Sequence, residues 1–91
     1  MGKMKKSEYY AKKYFVAYHD EDADELAQTL DTIGEISRTN KELADELSTE
    51  IQKINNEMLR FESDSNREEK IEKLMERYRK EIEKADMDRI S

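Results

Sequence analysis

Between Val16 and Phe61 the apolar residues keep almost entirely to steps of three and four, and no proline interrupts them. An α-helix brings positions three and four apart onto one face, so this spacing marks a helix with a single apolar seam. The seam runs through Ala23, Leu26, Leu30 and Ile33 and resumes with Ala44, Leu47, Ile51, Ile54 and Met58. Two positions within it, Ser37 and Asn40, are polar, yet the phase on either side of them is the same. The unbroken phase predicts one long helix from about 22 to about 62, roughly 60 Å in length at the α-helical rise. A competing break is also written into the chain: Gly34 can end a helix, and Thr39-Asn40-Lys41-Glu42 has the spacing of a capping box.

Shorter helices are expected on both sides. Tyr10, Tyr14 and Tyr18 recur every four residues with Ala11 and Phe15 alongside, which predicts a helix over about 6–19 after a basic, flexible start at 1–5. Asp22-Ala23-Asp24-Glu25 then supplies a cap with a carboxylate three residues on, so the acidic run after His19 reads first as a helix start. At Ser63-Asp64-Ser65-Asn66 the seam stops, and Ser65 to Glu68 repeats the cap spacing. The helix expected from there, about 66–86, places Ile71, Met75, Tyr78, Ile82 and Ala85 on one face with Leu74 beside it. Its Glu68, Glu69 and Glu72 suit the positive end of the helix dipole and Arg79, Lys80 and Lys84 the negative end. Residues 87–91 read as a frayed tail. The expected fold is therefore all-α: one helical domain over 1–91, a hairpin or bundle in which the first and last helices cover the two ends of the long one.

Ninety-one residues bury only a thin core, and with 44% charged against 35% hydrophobic residues, order depends on how the apolar side chains are arranged. Ile36 and Leu43 widen the apolar stripe where the flanking helices leave a gap. Self-association is the usual remedy for so small a core. A homodimer is expected, its long helices paired antiparallel through Leu26, Leu30, Ile33, Ile36, Leu43, Leu47, Ile51, Ile54 and Met58, with Asn40 fixing register.

The residues that carry chemistry are few. Without cysteine the chain has no disulfide, thiolate metal site or thiol nucleophile, and it suits a reducing cytoplasm. His19 is the only histidine and Gly2 and Gly34 the only glycines, which excludes histidine-pair metal centres and glycine-rich phosphate loops. Asp20, Asp22 and Asp24 alternate as in a helix-loop-helix calcium loop, but Glu25 stands where that loop turns on glycine, and a solvated cap accounts for the same residues. No cofactor and no catalytic set is expected. The longest apolar run, Tyr14 to Tyr18, is far short of a membrane span. Met1-Gly2 meets Lys6 where a myristoylation motif has serine or threonine. Net charge is −6. An acidic body of this kind argues against wholesale nucleic-acid binding, and the acids interleaved with lysine and arginine dilute the field that a nucleic-acid mimic needs.

One stretch has chemistry with which to hold a ligand. Tyr9, Tyr10, Lys12, Lys13 and Tyr14 combine rings that stack on bases with amines that neutralise phosphates, which makes a nucleotide or oligonucleotide module the alternative function. Helix packing on one side and lysine stems on the other account for the same residues. The main expectation is a non-catalytic, self-associating helical protein that binds a protein partner as a regulator, inhibitor or assembly factor. Accessory proteins of bacteria and their phages are often built this way, and exposed Tyr, Met and Leu side chains such as Tyr9, Tyr14 or Leu59 would meet the partner.

Overall fold

In the computed structural model, which describes residues 4–90, the chain forms four α-helices: α1 Lys6–His19, α2 Ala23–Thr39, α3 Lys41–Leu59 and α4 Arg67–Ile90. Among the described residues there is no strand. The fold is an all-α bundle, as the spacing predicts. Residues 1–3 of the expected basic start and Ser91 lie outside the described residues. α4 runs beyond the expected end near 86, to Ile90.

The corner between α1 and α2 takes three residues. Asp22 N–H donates to Ala17 C=O at 3.0 Å and Glu21 N–H to Tyr18 C=O at 3.3 Å, the paired bonds of a Schellman motif. Glu21 occupies its left-handed position, φ 57°, where glycine is the usual residue. Asp22 closes α1 and also opens α2, since its carboxylate accepts the Glu25 N–H at 3.2 Å. The Glu25 side chain does not return to the cap as a capping box would have it. It reaches across to Lys13 of α1, 2.6 Å away.

The expected helix over 22–62 is broken at Asn40. That residue has φ −145° and ψ 89°, outside the helical region, and caps in both directions. Its N–H donates to Ile36 C=O at 2.8 Å, and its side-chain oxygen accepts the Leu43 N–H at 3.1 Å. Asn40 therefore does not fix the register of paired helices; it is the N-cap of α3, one residue later than Thr39, at which the capping-box spacing begins. Gly34, the other candidate stop, lies within α2. The physical reason for the break is the shape of the load. α1 has 14 residues, roughly 20 Å of helix at the α-helical rise. A straight rod of 60 Å would overhang it by most of its length. Folded at Asn40, both halves pack on α1, and the whole molecule measures 42 × 29 × 29 Å.

The layout follows. α1 is the helix that packs against each of the other three, in place of a long central helix with partners at its two ends. Its buried residues Ser7, Tyr9, Ala11, Phe15 and Ala17 do not share a face; at about 100° per residue they are spread round most of the helix. A helix buried on most sides belongs at the centre of a bundle. α4 runs antiparallel to α1, since Tyr9 pairs with Asp86, Lys12 with Glu81 and His19 with Glu72. The core joins Ala11 and Phe15 of α1, Leu47 and Ile54 of α3, and Leu74, Met75 and Tyr78 of α4. α2 places no residue in it, although Ile33 packs against its edge.

The loop before α4 is held by Asp64. Its carboxylate accepts the Asn66 N–H at 2.9 Å and the Lys70 ammonium, while Lys70 also lies over the Phe61 ring. Bonding to Lys70 and to the Asn66 N–H keeps the Asp64 carboxyl below the usual carboxylate range. Phe61, the last residue of the expected seam, turns inward here against the core.

Candidate docking surface

The Tyr and Lys side chains put forward as a ligand site are largely occupied within the fold. Tyr9 is buried and its hydroxyl donates to Asp86 Oδ1 at 2.5 Å; burial, and then that bond, raise its pKa. Lys12 donates to Glu81 at 2.6 Å and lies 5.2 Å from the centre of the Tyr78 ring. Lys13 pairs with Glu25 and faces the Tyr9 ring. Tyr10 and Tyr14 are half-buried and pack against the core. The geometry brings these five together as the packing of α1, with both amines already neutralised.

The acidic turn is likewise in use. Arg79 of α4 binds both carboxylate oxygens of Asp20, with its Nε 3.1 Å from Oδ2, and this pairing holds the Asp20 carboxyl below its ordinary value. His19 Nε2 lies 2.8 Å from Glu72, a pair that is ionic while the imidazole is protonated. Among the described residues no group of three or more histidine or carboxylate side chains is placed to hold a metal ion. Tyr78 is pushed up to about 12 by burial, with the Glu57 carboxylate adding to the effect. Burial leads for Tyr9 and Tyr78, and the Arg79 bond leads for Asp20.

The expected seam divides. Leu47 and Ile54 are buried in the chain's own core, and Ile33, Ile51 and Met58 pack against it. Leu47 and Ile54 of the expected pairing seam are therefore covered by the chain's own helices. Leu26, Leu30, Ile36 and Leu43 stay outside the core on the two arms of the Asn40 elbow; Leu30 is 47% exposed and the other three are half-buried.

A groove lies at the other end of α3, where the C-terminal turns of α1 and α3 meet the first turns of α4. Phe15, Met58 and Ile71 line it, together with Tyr18 and Leu59, which are 67% and 60% exposed. Asn55, Glu62, Arg67, Glu68 and the His19–Glu72 pair supply its polar lining, and it encloses about 690 Å³. Leu59 was legible in the sequence as an exposed contact residue. Tyr18 was missed: it shares the four-residue spacing of Tyr10 and Tyr14, so it read as part of the buried stripe, and only the end of α1 leaves it bare.

Among the described residues no helix is long and apolar enough to cross a membrane. The sequence matches no protein-family model, and neither the curated proteins nor the solved structures show a significant match to it.

Proposed function

We propose that this protein is a non-catalytic binder that works by engaging a protein partner, as a regulator, inhibitor or assembly factor. The observation that carries this reading is the groove between α1, α3 and α4, where Tyr18 and Leu59 leave apolar surface bare at a concave site. Isolated exposed apolar residues need no explanation, but two such side chains facing one groove with an apolar floor are the ordinary anatomy of a docking site. The shifted groups are consistent with the same reading, since burial in the bundle raises Tyr78 and the Arg79 bond lowers Asp20, each within the packing of the fold. No observation in the fold favours the nucleotide alternative, because Lys12 and Lys13 would have to leave Glu81 and Glu25 to meet a phosphate.

The test is a pair of surface variants, Leu59→Glu and Tyr18→Glu. Both positions are exposed, so chemical denaturation should shift by no more than about 0.5 kcal/mol. Retention of a partner by the immobilised protein should fall at least tenfold in each. Retention unchanged by either variant would overturn the reading.

A further inference from the structure

The groove at Tyr18 and Leu59 takes one face from each of three helices. Phe15, Tyr18 and His19 lie three and four apart on α1, and Glu68, Ile71 and Glu72 repeat that spacing on α4. Asn55, Met58, Leu59 and Glu62 keep the same steps along α3 and just past its end. Helical spacing and the shared lining therefore agree that these side chains meet on a single surface. Its apolar side chains are accompanied by three carboxylates, Glu62, Glu68 and Glu72, against one guanidinium, Arg67. Glu62, Glu68 and Arg67 are exposed and make no ion pair among the described residues. Glu72 pairs with His19 and lies 3.4 Å from Arg79, but that guanidinium is already shared with Asp20 and Glu76. The groove thus carries an excess of negative charge beside its apolar floor.

Resting on the reading of this groove as a docking site, we infer that its occupant is a basic amphipathic helix of a partner protein, with apolar anchors at helical spacing and lysine or arginine a turn away from them. The contributing faces run for about one to two turns each, which suits a few anchors at i, i+3 and i+4, the ordinary mode of a helix in a groove. Charge complementarity selects a basic one, since its cations would meet Glu62 and Glu68, which have no internal cation to release. A nucleic acid would bring phosphates against the same carboxylates. A second copy of the chain, paired about a two-fold axis, would set Glu62, Glu68 and Glu72 against the same acids of its partner, with one Arg67 on each side to offset them. Charge across an interface governs steering and selectivity more than raw affinity. The apolar anchors therefore hold the helix, and the carboxylates choose which helix is held.

The isotopically labelled full chain is titrated with three synthetic peptides of about eighteen residues that share a helical leucine stripe and carry lysine, glutamine or glutamate elsewhere. The leucine–lysine peptide should shift backbone amide signals centred on residues 15–19, 55–62 and 67–72, with an affinity that falls about tenfold or more from low to high salt as screening shortens. The leucine–glutamine peptide should bind the same residues about tenfold more weakly, and the leucine–glutamate peptide more weakly still. The double variant Glu62→Lys, Glu68→Lys changes exposed side chains only and should reverse the order of the lysine and glutamate peptides. Equal binding of the lysine and glutamine peptides in the groove would overturn the basic occupant and leave the docking site standing. Shifts centred elsewhere, or no binding of any peptide, would also overturn the inference; retention of a partner by the Tyr18→Glu and Leu59→Glu variants then decides separately whether the groove docks anything. Self-association of the free chain that Leu59→Ser abolishes would overturn it in favour of a second copy.

Discussion

α2 and α4 both lie against α1, and they are held in opposite ways. α4 sends Leu74, Met75 and Tyr78 into the core and adds polar ties along its length, from His19–Glu72 at one end to Tyr9–Asp86 at the other. α2 has one buried residue, Thr29, whose hydroxyl bonds back to Glu25 C=O of its own helix at 2.8 Å, and one ion pair to α1 among the described residues. Thr32, Ser37 and Thr39 also bond back to carbonyls four residues earlier. Such bonds satisfy the side chain without anchoring the helix to anything else and tend to bend it. The contrast separates two tasks within one small chain. α1, α3 and α4 supply the stability, and α2 with the start of α3 supplies exposed, acidic, partly apolar surface.

The sharpest way to break this comparison is to empty the core side of it. Met75 is 0% exposed, so Met75→Ala should cost about 2–5 kcal/mol and leave the chain marginally folded, while Leu30→Ala should cost less than about 1 kcal/mol. Urea denaturation followed by circular dichroism measures both, and similar costs at the two sites would erase the distinction.

An alkaline titration asks the same question through a proton. An unfolded tyrosine ionises near pH 10, whereas folding pushes Tyr78 up to about 12, so the folded state binds that proton more tightly. The associated stability is present in full below about pH 10 and is lost as pH rises from about 10 to about 12, a decline of about 2–3 kcal/mol. Tyr9, raised by burial and by Asp86, acts in the same direction. Tyr78→Phe should flatten the decline, and an unchanged pH profile would place the cause elsewhere.

At the elbow itself, Asn40→Ala removes the cap of α3 and should cost about 1 kcal/mol. Alanine also favours a continuous helix, so the variant tests what holds the bend. If packing on α1 holds it, the radius of gyration by X-ray scattering stays near 13.6 Å; fusion of α2 and α3 into one rod would raise it. The smallest effect belongs to the corner that leads into α2. Glu21→Gly relieves the left-handed backbone position at the cost of a more flexible unfolded chain, and should raise stability by up to about 1 kcal/mol. A loss of stability would mean that the Glu21 side chain matters more than its φ.

Much of the architecture was legible in the residues. The seam phase correctly placed Leu47, Ile54 and the half-buried Ile33, Ile51 and Met58 on inward faces, and the face of α4 was read down to Leu74 beside it. The start of α2 at Asp22 followed from cap chemistry, although Glu25 pairs with Lys13 and does not complete a capping box. The failures have one origin. Heptad phase reports which residues face inward and says nothing about whether the backbone between them is straight, so Ser37 and Asn40 looked like polar positions in a rod. The density of Ser and Thr from 29 to 39, ending at Asn, was the available sign of a stop. For α1, the large residues suggest a Tyr10–Tyr14–Tyr18 face, whereas the small residues Ser7, Ala11 and Ala17 are among those buried.

What the residues determined by themselves were the local preferences: helix nearly throughout, a cap at Asp22, and inward faces for the segments that became α3 and α4. These depend on neighbours within a turn or two of the chain, where propensity, capping and periodicity act. Which helix would be central, which half of the seam would be covered, and which Tyr and Lys would be committed to internal partners were decided only by the tertiary structure. The reason is geometric: a 14-residue helix is fully covered only when the chain folds back on it from both sides, and that folding turns a continuous apolar stripe into a core at one end and an open acidic elbow at the other.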